Sequence, residues 1–118
     1  MNKRDVLEAA INVSTGKRET DYGSAKDNMR RTALLWNAYL DARFPHGCVS
    51  INEIDVCQMM TLHKMGRAMH NEGYMDNYVD GAGYQACAGE IAGAKLTLDI
   101  PAANVTNDVP EDVVNNLP

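Results

Sequence analysis

A chain of 118 residues with 45% apolar content fits one globular domain around a single hydrophobic core. Its formal net charge is −5, but four of the 16 acidic residues fall from Asp99 onward, where no Lys or Arg occurs. The remaining body holds 12 acidic against 11 basic residues, and this near-neutral balance argues against a nucleic-acid backbone as partner, since that binding draws on a strong basic excess.

The first helix is predicted from about Lys3 to Val13, with Val6, Leu7, Ala10 and Ile11 as its apolar stripe and Gly16 as C-cap. A polar loop, Lys17 to Gly23, follows. Ser24 can cap the second helix by accepting from the N–H of Asp27, and Met29, Ala33, Trp36 and Leu40 form its buried stripe. Phe44-Pro45-His46-Gly47 ends it. The third helix starts near Ser50 or Asn52 and reaches about His70. Val56, Met59, Met60, His63 and Arg67 share one side, and Leu62, Met65 and Met69 an adjoining one. That broad apolar surface suggests the central helix, which Gly66 would let a neighbour approach. Asp76 is the expected N-cap of a fourth helix, Asn77 to Lys95, whose small residues favour tight packing. The fold class is therefore all-α, a compact antiparallel bundle of about four helices. Residues 1–96 form the helical domain, Lys95 to Ile100 can be extended, and 97–118 read as a flexible acidic tail.

Cys48, Cys57 and Cys87 are odd in number and contain no CxxC, so free thiols in a reducing cytoplasm are expected. The start lacks the apolar run of a signal peptide, and no stretch approaches the roughly 20 apolar residues of a membrane span. A cytoplasmic, membrane-free protein is the expectation.

The informative chemistry lies between Leu62 and Tyr84. Lys64 and Arg67 are neighbours on one helix face; Asp76 and Asp80 share a face of the next, and Tyr84 extends it by a turn. A short turn makes the helices antiparallel neighbours, so the two pairs can meet. The plain reading is an interhelical salt-bridge network, worth about 0–1 kcal/mol per pair. The functional reading has the cations gripping phosphate oxygens while Asp76 and Asp80 hold a sugar hydroxyl or a magnesium ion. The Lys17–Gly23 loop offers a second wall: Arg18 for phosphate, Tyr22 to stack on a base, and Asn28 nearby to read a base edge. Its plain reading is a polar loop with Tyr22 tucked against the core. His63 reads as a core or interface residue, His70 as a cation at a helix C-terminus, and His46 with Cys48 lacks the further ligands of a metal site. No HExxH, glycine-rich phosphate loop or GxSxG occurs.

Five separated motifs occur in order. They are Arg4-Asp5-Val6-Leu7; Asp21-Tyr22-Gly23 with Asn28; Leu35-Trp36-Asn37-Ala38-Tyr39-Leu40; Met59 through Arg67; and Asp76 through Tyr84. Together they resemble a helical domain of unknown function found in tailed phages and prophages. That domain is similar to the phage nucleotide modification associated domain and, more distantly, to MazG-like all-α nucleotide pyrophosphohydrolases. The resemblance covers about Arg4 to Ile91 and implies a nucleotide ligand, a host bacterial cytoplasm and a homo-oligomer. It adds Asp21, of the shared Asp-Tyr-Gly loop, to the candidate binding residues.

MazG-like enzymes bind magnesium through EExxE and a later ExxD, whereas Asp27, Arg30 and Arg31 stand where the first acidic cluster belongs. Only Asp76 and Asp80 remain as an acidic pair, and Gly81 replaces a larger apolar residue beside Asp80. The leading expectation is a phage-type accessory protein that binds a nucleotide or nucleotide-derived signal, sequestering it in counter-defence. The alternatives are a magnesium-dependent nucleoside triphosphate pyrophosphohydrolase and a non-enzymatic inhibitor of a host protein.

Overall fold

The structure, a computed structural model, describes residues 1–93. The expected acidic tail, the predicted helix end at Ala94 and Lys95, and the extended segment to Ile100 lie outside them. The described residues are all helical between turns: α1 (Lys3–Ser14), α2 (Lys17–Tyr22), α3 (Ala25–Arg43), α4 (Glu53–His70) and α5 (Asp76–Ala92). The four long helices are those expected; α2 is new.

Local chemistry sets most boundaries. Asn2 and Asp5 form a capping box at α1, and Asn52 and Asp55 form one at α4, each backbone N–H bonded to the other's side chain at 2.9 Å. Ser24 Oγ accepts from the Asp27 N–H at 3.1 Å, as expected. Asp76 is not the N-cap of α5. Met75, already helical, takes that position because the Tyr78 and Val79 N–H groups both bond its carbonyl, which leaves Asp76 in the first turn. Segment 17–22 is helical because Gly16, at φ 65°, reverses the chain after α1 and Gly23, at φ 81°, releases it before α3.

The helix at the centre is α5, not α4 as the large apolar residues suggested. It packs most extensively on α4, then on α1, and also touches α3. Its small residues permit this: a Cβ at Gly83 would lie 2.7 Å from Ser14 Oγ of α1. Gly66 of α4 has open space around it and plays no such part. α4 and α5 run antiparallel, since Gln85 Nε2 donates to Gln58 Oε1 and Thr61 Oγ1 at 2.8 Å, while Asp80, earlier in α5, meets Lys64, later in α4.

Packing against a small-residue helix turns the inward stripes away from the bulky side chains. In α4 the inward line runs through Val56, Cys57, Met60, Thr61, Lys64 and Ala68, while Met59, Leu62, His63, Met65, Arg67 and Met69 are exposed. In α1, Val6, Ala9, Ala10 and Ser14 face inward, and Leu7 and Ile11 are exposed. The core cluster is Met29, Ala33, Val56, Cys57 and Ala88, with Trp36 packed against it. Asn37 ties down the α3–α4 connection: its Nδ2 donates to the Ile51 carbonyl and its Oδ1 accepts from the Ile51 N–H, both at 2.9 Å.

Candidate functional site

The reversal at Gly16 folds α2 back over the end of α1, and the exit at Gly23 brings the start of α3 beneath it. Arg31 Nη2 fixes this arrangement by donating to the Tyr22 carbonyl at 2.7 Å. Between α2 and the α4–α5 pair lies a cavity of about 250 Å³. Six of the nine residues singled out in the sequence line it: Arg18 and Tyr22 from α2, Asn28 from α3, Lys64 from α4, and Asp80 and Tyr84 from α5. Met29 and Gly83 belong to its buried side.

The other three stand elsewhere. Asp21, Arg67 and Asp76 are exposed and do not line the cavity. The expected two-by-two ion network reduces to one bridge, Lys64 Nζ to Asp80 Oδ2 at 3.1 Å. Arg67 sits about 60° around α4 from Lys64, on the outward side of the packing line. Among the described residues, no group of three or more His, Cys, Asp and Glu side chains comes together to hold a metal. Asp80 is engaged with Lys64, and Asp76 is exposed and does not line the cavity.

The plain reading of Tyr22 is overturned: it is not tucked into the core but is 58% exposed, with the Arg18 guanidinium 5.7 Å from its ring centroid. His63, expected in the core or an interface, is not in the core of this chain: it is exposed because the inward line of α4 passes through Met60 and Lys64. The sequence reading also missed five lining residues, Val13, Ser14, Glu19, Ala25 and Cys87. Glu19 lay in the segment already singled out; the others carried no chemical signal in their spacing.

The thiols report the electrostatics. All three cysteines are free, as expected. Burial, and then the neighbouring Cys87, push the Cys57 thiol up to about 11. Burial also raises Cys87, with Glu90 and Glu19 adding to the shift and Arg18 opposing it. The α2 charges therefore act on a thiol of α5 across the cavity. The lining offers two aromatic rings, a neutral amide, an ion pair spanning two helices, and one further charge of each sign on α2. That set suits holding a polar, partly aromatic small molecule. A second, mostly apolar hollow of about 240 Å³ lies against another part of the α4–α5 pair, lined by Met65, Ala68, Tyr78 and Ala82 and sharing Lys64.

A family model described as a domain of unknown function, DUF6378, matches residues 5–92. The chain belongs to that family. This DUF6378 chain is 31% identical over 108 residues to the Gene 55 protein of Mycobacterium phage D29, covering 92% of the chain and 67% of that protein. It is 40% identical over 79 residues to the Gene 55 protein of Mycobacterium phage L5, covering 67% of the chain and 47% of that protein. The match thus spans less than half of the L5 protein. No solved structure matches the chain significantly. These comparisons carry the resemblance to a phage domain of unknown function and do not extend it to MazG-like enzymes. No helix of the described residues is long and apolar enough to cross a membrane.

Proposed function

We propose that this chain is a phage-type accessory protein that binds a nucleotide or nucleotide-derived signal in the α2–α5 cavity, sequestering it from a host defence pathway. The observation that carries this reading is the convergence of Tyr22, Tyr84, Asn28 and Arg18 from three helices on one small cavity. Aromatic faces stack on a base whatever its identity, an amide reads a base edge, and a guanidinium grips a phosphate oxygen. Binding has more support than cutting. Hydrolysis by a metal-activated water needs carboxylates free to hold the metal, and Asp80 is paired with Lys64.

The same proposal includes self-association. The fully buried apolar side chains are few and mostly small, while Leu34, Leu35 and Tyr39 of α3 and Leu62, Met65 and Met69 of α4 are each more than half exposed. Large apolar side chains left exposed in this number on two helices are what a second copy would cover. Light scattering after gel filtration at micromolar concentration tests this part; a monomer overturns it.

For the ligand, calorimetry with mono-, di-, tri- and cyclic nucleotides, with and without magnesium, is paired with chromatography of the same samples. Binding with intact ligand is expected. No binding at high micromolar concentration sinks the reading, and magnesium-dependent loss of ligand replaces it with a pyrophosphohydrolase.

A further inference from the structure

Charge and size at the cavity bear on which form of the ligand it takes, an inference that rests on the nucleotide reading above. The charged lining residues are Arg18, Glu19, Lys64 and Asp80, two of each sign. Lys64 is satisfied by Asp80 at 3.1 Å, and its side chain is only 15% exposed, so its charge is already spent within the protein. Arg18 forms no ion pair among the described residues and leans over Tyr22. One cation is therefore left for a phosphate, with Glu19 beside it.

A phosphate monoester carries a charge of about −1.5 to −2 at neutral pH, and each further phosphate adds more. With Lys64 and Asp80 neutralising each other, a polyphosphate tail would meet the Glu19 carboxylate and a single unpaired cation, Arg18, to offset it. The cavity is also small: about 250 Å³, below the roughly 300–1,000 Å³ usual for ligand sites. The room suits a base and sugar and leaves little for a chain of phosphates.

We infer that the cavity takes a nucleoside or nucleoside monophosphate and discriminates against the triphosphate. Asn28 faces the base edge, the two tyrosines supply the stacking faces, and the Glu19 carboxylate accepts from a sugar hydroxyl. Discrimination arises from the paired state of Lys64: the protein holds a carboxylate where a phosphate-binding site would hold a free ammonium.

The test is calorimetry on the full chain with adenosine, guanosine, cytidine and uridine, each as nucleoside, monophosphate and triphosphate. Within the best base series the triphosphate should bind at least about tenfold more weakly than the nucleoside or monophosphate, a gap of about 1.4 kcal/mol. The variants Asp80→Asn and Glu19→Gln should each raise triphosphate affinity relative to the nucleoside by several-fold. Glu19 is exposed on α2, so its variant keeps the test decisive if Asp80→Asn does not fold. A triphosphate that binds as tightly as the nucleoside overturns this inference and leaves the nucleotide reading standing. An unchanged ratio in Glu19→Gln overturns its electrostatic basis. Failure of all twelve compounds overturns this inference, and failure of the di- and cyclic nucleotides as well removes the nucleotide reading itself.

Discussion

The Lys64 ammonium and the Asp80 carboxylate meet at 3.1 Å across the α4–α5 interface, and the two ends are unequally covered: the lysine side chain is 15% exposed and the aspartate 33%. Losing one partner of a fully buried pair costs about 3–5 kcal/mol, while an exposed pair is worth about 0–1 kcal/mol. This pair lies between, and the cost depends on which charge is left behind. Asp80→Asn strands the better-covered ammonium and should lose about 1–3 kcal/mol; Lys64→Met strands a carboxylate that water still reaches and should lose less than about 1 kcal/mol. Urea unfolding of both variants checks the order. Equal losses would mean that the two charges are equally solvated.

Asn37 serves both backbone groups of Ile51. Asn37→Ala removes the two partners at once at a half-buried site and should cost about 1–3 kcal/mol. Hydrogen exchange localises the effect: the Ile51 amide should lose protection while the Asn52–Asp55 capping box keeps its own. Unchanged exchange at Ile51 would show that water replaces the asparagine at little cost.

Two glycines of α5 should respond to alanine in opposite ways. Nothing lies within 4 Å of a Cβ at Gly89, so Gly89→Ala should gain about 0.5–1 kcal/mol from helix propensity alone. At Gly83 the same methyl meets Ser14 Oγ at 2.7 Å, and the gain should vanish or reverse. Adding Ser14→Ala to Gly83→Ala should return part of it. Thermal unfolding of the three variants decides whether α1 and α5 are as close as described.

Cys57 is completely buried, and its thiol is pushed up from 9.0 to about 11. Between those values the unfolded chain gives up the proton that the folded chain retains. This contribution to stability is therefore fully present below pH 9 and is lost as the pH rises toward 11. The wild-type urea midpoint should fall across that window. Cys57→Ala starts lower, because it leaves a cavity, but should fall by less. Parallel declines would assign the alkaline loss to other groups.

The fold was legible where a residue acts on its near neighbours. Ser24 with Asp27 and Asn52 with Asp55 mark helix starts because capping is settled within four residues. The inward faces were less legible. Met59, Leu62, Met65 and Met69 promise a core on hydrophobicity alone, yet they face outward, because the decisive partner is a helix of glycine and alanine whose close approach favours Cys57, Thr61 and Ala68. The same offset explains the site. Lys64 and Asp80 meet because they lie on that approach line, and Arg67, three residues on, misses it. The helicity of 17–22 was hidden because a six-residue helix between two glycines has no apolar period to betray it. Its side chains, Arg18 and Tyr22, still stood out by their chemistry.

No residue of α2 is buried, and the helix hangs on Gly16, Gly23 and the bond from Arg31 to the Tyr22 carbonyl. It nonetheless supplies Arg18, Glu19 and Tyr22 to the cavity. The opposite side, from Met29 to Gly83 and Cys87, belongs to or abuts the packed interior. Exchanging side chains on α2 therefore alters one wall of the cavity at almost no expense to folding, whereas exchanging them on the opposite side unsettles the fold. The exposed wall and the packed wall of the cavity are written into separate stretches of the chain, and the exposed one can be rewritten alone.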